Sequence, residues 1–143
     1  MIQVRLADSP EQIQLCLRLR WAVFVEEQGV PPSLEVDEHD RSDAVHALVL
    51  AEGVPCGAGR FIFEQPGVAK IQRMAIADGV RGRGAGRALL AFLEEEARRR
   101  GARRFSLWAQ VEARPFYERA GYVATGPVFQ DAGIPHIRMD KQT

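Results

Sequence analysis

The stretch from Gln72 to Leu90 constrains this chain more than any other. It runs from an apolar strand ending in Met74-Ala75-Ile76, through a short polar turn at Asp78-Gly79, into the loop Arg81-Gly82-Arg83-Gly84-Ala85-Gly86-Arg87 and the first turn of an amphipathic helix. The leading N–H groups of a helix lack partners within it, and the aligned peptide dipoles add partial positive charge there. Gly82, Gly84 and Gly86 carry no side chain to hold a ligand off that backbone, while Arg81, Arg83 and Arg87 bring full charges. Such a loop suits a pyrophosphate or a comparable polyanion.

Spacing then excludes two common phosphate loops. A Walker loop needs a lysine followed by a hydroxyl residue, and neither stands here. A dinucleotide fingerprint needs Gly-x-Gly-x-x-Gly, whereas these glycines alternate and the next required positions hold Arg87 or Leu89. What remains is Arg-x-x-Gly-x-Gly at Arg81, Gly84 and Gly86.

The rest of the chain reads as an ordinary globular sequence. Its 143 residues are 46% hydrophobic and 27% charged, enough for one domain (residues 1–143) with a single core. Formal net charge is zero, which argues against nucleic acid or an anionic membrane as partner despite the cluster Arg98-Arg99-Arg100 and Arg103-Arg104. Cys16 and Cys56 suggest buried thiols rather than a disulfide framework. The N-terminus lacks the build of a signal peptide, no apolar run has the length of a membrane span, and a cytoplasmic setting is expected.

Ile2, Val4 and Leu6 alternate with polar residues as in a half-buried strand, and Ser9-Pro10 opens a helix. Ile13, Leu17, Trp21, Phe24 and Val25 continue that helix toward Gly29; residues 33 to 43 read as a polar, acidic loop. Strands follow at 44–51, 54–64 and 68–77. A helix from Gly84 to Arg100 buries Leu89, Phe92 and Leu93 and shows Glu94, Glu95, Arg98 and Arg99 to water. A strand at 103–110, a short helix at 112–120 and a final antiparallel pair at 122–130 and 134–139 complete the order. Hairpins mixed with crossover helices predict an α/β architecture with a mixed sheet.

The Arg-x-x-Gly-x-Gly loop after Met-Ala-Ile resembles the acetyl-CoA signature of the GNAT superfamily of N-acetyltransferases. Pro115-Phe116-Tyr117-Glu118-Arg119-Ala120-Gly121-Tyr122 is similar to that superfamily's Phe-Tyr-Glu-x-x-Gly-Phe/Tyr segment. Arg20 to Gln28, then Glu35-x-Asp37-x-x-Asp40, and Asp131-x-Gly133-Ile134-Pro135-His136-Ile137-x-Met139 resemble its ElaA-like branch, so the likeness covers essentially the whole chain.

The resemblance implies a mixed, mostly antiparallel twisted sheet with helices on both faces and a splayed central strand pair. Acetyl-CoA would be cosubstrate, with no metal. Backbone groups of Met74, Ala75 and Ile76 would pair with pantetheine, and Arg81, Gly82, Arg83, Gly84, Ala85, Gly86 and Arg87 would hold the pyrophosphate. Tyr117 would assist the departing thiolate, by a hydrogen bond or a proton. The glutamate that many relatives carry on the strand before the loop has no counterpart among Lys70, Gln72 and Arg73. Glu26, Glu27, Glu35, Asp37 and Asp40 are candidate bases or acceptor contacts, with a solvated surface as the alternative for each, and His136 is a further site candidate. An acidic lining would favour a cationic amine. The expected partner is a small-molecule or peptide amine, and homodimerisation stays open. The rival reading is a non-catalytic acetyl-CoA sensor, favoured by the missing strand glutamate and opposed by Tyr117.

Overall fold

A computed structural model describes residues 1–40 and 42–143. Strand β1 (Ile2–Ala7) shows the alternating burial its sequence predicts. Ser9 then caps helix α1 (Pro10–Arg20), its hydroxyl accepting from the Gln12 N–H at 3.2 Å with Pro10 in the first turn. The expected run toward Gly29 stays helical but widens at Trp21–Glu27 into a π-helical turn, closed by the Gln28 N–H on the Val23 carbonyl at 3.0 Å. Such widened turns are frequent at functional sites.

The acidic segment departs from the solvated loop expected of it. It holds a helical turn, α2 (Pro32–Glu35), and a 3-10 turn (Glu38–Asp40), with Glu35 and Asp40 buried. Strands β2 (Val45–Ala51), β3 (Val54–Gln65) and β4 (Val68–Ile76) form a meander. Helix α3 (Ala85–Arg99) crosses back to β5 (Arg104–Gln110), and α4 (Arg114–Arg119) precedes β6 (Val123–Asp131) and β7 (Ile134–Gln142). The seven strands lie in the order β1-β2-β3-β4-β5-β7-β6, antiparallel except for β4 and β5.

Apolar residues on both faces of the sheet build two cores. Phe61, Phe105, Leu107 and Met139 pack with Leu89 and Leu93 of α3 on one face. On the other, Leu48, Leu50 and Ala58 meet Cys16 and the flank of α1. Each clean stripe of helical apolar residues thus finds a pleated apolar surface. One residue of α3 departs from its expected exposure. Glu94 is buried, accepting from Tyr122 Oη at 2.8 Å and Lys141 Nζ at 3.0 Å, so its charge faces partners from the C-terminal strands instead of water. Among the described residues no helix is long and apolar enough to cross a membrane.

Candidate active site

Strands β4 and β5 pair over only four positions, from Val68↔Arg104 to Ile71↔Leu107, and then part. The divergence begins where β4 carries a bulge against β3. Register shifts between the Arg60 and Ala58 pairings, and Arg73 there takes a left-handed φ of 58°. A bulge bends its strand and re-aims the residues on its far side. There the Ala77 N–H donates to the Cys56 carbonyl at 2.8 Å, and the Ala75 carbonyl faces β3, 3.0 Å from where a Cβ on Gly57 would lie. Backbone groups alternate sides along an antiparallel strand, so those of Met74 and Ile76 turn toward the gap. Ala75, buried at 2% exposure, supports this edge from beneath.

The gap opens into a cleft of about 1190 Å³. Met74, Ala75, Ile76, Arg81, Gly82, Gly84, Ala85, Gly86, Arg87 and Tyr117 all line it, whereas Arg83 does not. Arg83 instead lies 4.0 Å from Glu52. Gly82 and Gly84 adopt φ of +80° and +84°, which the loop needs in order to turn onto α3. Gly86 instead packs beside Phe116, whose ring a Cβ there would meet in ordinary contact at 3.4 Å. The first described helix bond of α3 runs from the Ala88 N–H to the Gly84 carbonyl, which leaves the N–H groups of Ala85, Gly86 and Arg87 for a ligand. These free amides, beside a strand edge open to a second set of hydrogen bonds, fit a long phosphorylated amide such as coenzyme A.

Arg81 differs from the free cation expected. Its Nε donates to the Ile76 carbonyl at 2.9 Å, and its terminal nitrogens grip Glu27 at 2.6 and 2.8 Å. The neighbouring Gln28 accepts from Gln110 Nε2 at 3.0 Å. The end of the π-helical turn is therefore tied to both lips of the gap, one from the β4 side and one from β5.

Tyr117 reaches the same place from α4. Its hydroxyl lies 3.9 Å from the Met74 sulfur, and its ring makes edge contacts with Phe116 and Tyr122. Burial pushes its pKa up to about 12, since a phenolate there would lose its hydration.

The acidic lining expected on the opposite wall is replaced by a buried ion-pair network. Glu35, 1% exposed, accepts from Arg20 Nε at 2.8 Å. Asp40 takes Arg20 at 2.6 Å and Arg60 at 2.7 Å, and Asp37 takes Arg60 at 2.8 and 2.9 Å with Arg73 at 3.4 Å. Glu26 and Asp37 stand outside the cleft; Glu27 and Glu35 border it. With Glu27, Glu35, Asp37 and Asp40 all held by arginines, the wall offers no surplus of negative charge to select a cationic amine. Arg20, Arg60 and Arg73 were missed by the sequence reading, and the signal would have been three arginines set in otherwise apolar or strand-like runs. Gln72, near where a strand glutamate would stand, accepts from Arg60 at 2.8 Å through Oε1.

His136 borders the cleft from β7, beside Phe129 in a near-parallel stack with centroids 6.0 Å apart. Lys70, also on this wall, sits 3.4 Å above the Trp108 ring. Sequence reasoning had not brought that pair together, since its members are adjacent only across the parallel strands.

The acetyltransferase (GNAT) domain family matches residues 7–143. YjcF, an uncharacterized N-acetyltransferase of Bacillus subtilis (strain 168), is 38% identical over 137 residues, spanning 95% of this chain and 96% of its own. The crystal structure of Escherichia coli ElaA superposes with a TM-score of 0.86 at 27% identity, covering 99% of this chain and 100% of ElaA. PaiA N-acetyltransferase from Thermoplasma acidophilum, solved in complex with coenzyme A, shares the fold at a TM-score of 0.73 and 14% identity, with coverage of 100% and 99%. The parted strands and the glycine loop thus belong to a lineage as well as to a geometry, and the chain is a member of the GNAT family of N-acetyltransferases, enzymes that carry acyl groups from coenzyme A thioesters.

Proposed function

We propose that this enzyme transfers the acetyl group of acetyl-CoA to a primary amine, small molecule or peptide, by direct attack within a ternary complex. The observation that carries this reading is the convergence on one cleft of a strand edge that has parted from β5 at Met74 and Ile76, its Ile76 carbonyl met by Arg81, the open amides of α3 and the Tyr117 hydroxyl. The backbone of Met74 and Ile76 would pair with the pantetheine amides as an added strand does. The amides from Gly82 to Arg87 would hold the pyrophosphate. A backbone N–H at the gap would stabilise the oxyanion that forms as the amine adds, a contribution of about 3 kcal/mol for a well-placed donor.

Tyr117 acts as a hydrogen-bond donor. Burial raises its pKa, which keeps the phenol neutral and its hydrogen available to the sulfur. Donation without transfer lowers the energy of the departing thiolate, and the phenol stays neutral throughout.

Turnover against a panel of primary amines tests this reading, with free thiol and acetylated product both measured. Amine-dependent release is the expected result. Binding of acetyl-CoA by calorimetry without release in any amine would instead favour a sensor.

A further inference from the structure

Three of the five carboxylates that border the cleft are engaged: Glu27 by Arg81, Glu35 by Arg20, and Glu94 by Tyr122 and Lys141; Glu112, at the exposed rim, has no such partner among the described residues, and Asp131 lies 3.9 Å from His136. Glu35 keeps one oxygen without a hydrogen bond, yet Arg20 and Arg73 lie within ion-pair reach of the other. His136 is arranged differently. Its register partners are Gln110, the last residue of β5, and Phe129 of β6. The ring therefore stands on the face of the sheet shared with Gln110, at the end of the strand that has parted from β4.

One contact decides its tautomer. His136 Nδ1 lies 2.7 Å from the Ile134 carbonyl oxygen. A carbonyl can only accept, so Nδ1 carries the hydrogen, and a neutral imidazole then holds its lone pair on Nε2. Nε2 makes no hydrogen bond among the described residues; an Asp131 carboxylate oxygen lies 3.9 Å from it. Phe129 stacking and the strand backbone fix the ring plane. The charged groups on this wall are Asp131 from β6, Lys70 from β4 and Arg138 from β7.

We propose that His136 Nε2 is the general base that accepts the proton of the acceptor amine, an assignment that rests on the acetyl-transfer reading above. As the amine nitrogen bonds to the acetyl carbon, its N–H proton passes to Nε2. The C–S electron pair leaves on sulfur, where the thiolate accepts a hydrogen bond from Tyr117 and is then protonated from water. The imidazolium returns its proton to water, so the sum is amine plus acetyl thioester giving amide plus thiol. The Ile134 carbonyl stabilises the imidazolium by keeping its hydrogen bond to Nδ1 throughout.

His136→Gln and His136→Ala test the assignment. Loss of a general base costs about 10²- to 10⁴-fold in rate, so kcat should fall by that order while acetyl-CoA affinity, read by calorimetry, stays constant. The acid limb of the kcat/KM profile should lose one ionisation in both variants, keeping only that of the free amine, and added imidazole should restore part of the rate to His136→Ala, in proportion to its unprotonated fraction. Wild-type turnover retained by His136→Gln with an unchanged pH profile would overturn the assignment and leave acetyl transfer standing. Should His136→Gln melt early, imidazole rescue of His136→Ala decides the question, and absence of rescue overturns it. Absence of amine-dependent turnover in the unaltered protein would instead remove the acetyl-transfer reading, and this one with it.

Discussion

The Tyr117 hydroxyl stands 3.9 Å from the Met74 sulfur, where the free edge of β4 meets the first turns of α4. Forty-three positions of sequence separate the two, yet they share one wall of the cleft. On the proposed acetyl-transfer reading, a thioester would lie along the β4 edge with its sulfur end toward the phenol.

Tyr117→Phe keeps the ring packing and removes only the hydroxyl. A hydrogen bond to a charged group contributes about 1.5–3 kcal/mol, so kcat should fall about 10- to 100-fold. Acetyl-CoA affinity, measured by calorimetry, should not change. Because burial holds the phenol at about 12, no alkaline limb below that region should be lost with the hydroxyl.

Gly84→Asp places a carboxylate at the loop, on a residue whose φ of +84° already disfavours any side chain. The conformational cost is about 1 kcal/mol, a small drop in melting temperature that Gly84→Asn would nearly avoid. Acetyl-CoA affinity should fall at least tenfold in the Asp variant and much less in the Asn variant. Equal affinities in calorimetry would show that the phosphates lie elsewhere.

Glu27→Gln and Arg81→Ala should move acetyl-CoA affinity in opposite directions. The hydrogen bond and charge of Arg81 hold the Glu27 carboxyl below its usual range, and the pair occupies a guanidinium that phosphate would otherwise attract. Glu27→Gln releases it and should tighten binding at low salt; Arg81→Ala should weaken binding. Both effects should shrink as ionic strength rises. Exposed pairs of this kind contribute little to stability, so thermal melts of both variants should stay close to the original.

The buried network should govern acid stability. Burial alone would push the Asp40 carboxyl up, but hydrogen bonds and charge from Arg20, the Asp37 N–H and Arg60 outweigh it and hold the group well below the usual carboxylate range. Its stabilising contribution is thus full above the unfolded pKa of about 3.9 and is lost as pH falls below that. His46, whose nitrogens lack hydrogen bonds and whose pKa burial lowers, works in the same direction from higher pH. Urea melts should show stability falling from about pH 6.5 downward as an unfolded histidine gains its proton, and more steeply below about pH 4. Asp40→Asn removes the carboxylate that Arg20 and Arg60 share, leaving Arg20 with Glu35 and Arg60 with Asp37; the cost should stay below the roughly 3–5 kcal/mol of an uncompensated buried charge, and the lowest-pH part of that curve should flatten.

Much of the cleft was legible because its parts are local. A glycine loop between an apolar strand and an amphipathic run can form a helix N-terminus with open amides in few other ways, and Ser9-Pro10 capped α1 as its chemistry requires. The four-residue pairing of β4 with β5 is another matter. It depends on a bulge at Arg73 and on β5 arriving after a whole helix, neither of which periodicity encodes.

Charge shows the division most clearly. By itself the sequence determined that carboxylates gather between Glu26 and Asp40, that a glycine-arginine loop precedes α3 and that Tyr117 comes after β5, because spacing within a segment fixes which residues are neighbours there. Only the tertiary structure decided what the carboxylates do. Arg20, Arg60 and Arg73 come from three elements to meet them, and Glu94 turns inward to Tyr122 and Lys141. A charge's role depends on what lies within a few ångströms of it, through Coulomb energy that falls with distance and desolvation that rises with burial, and both are set by the packing of segments far apart in the chain.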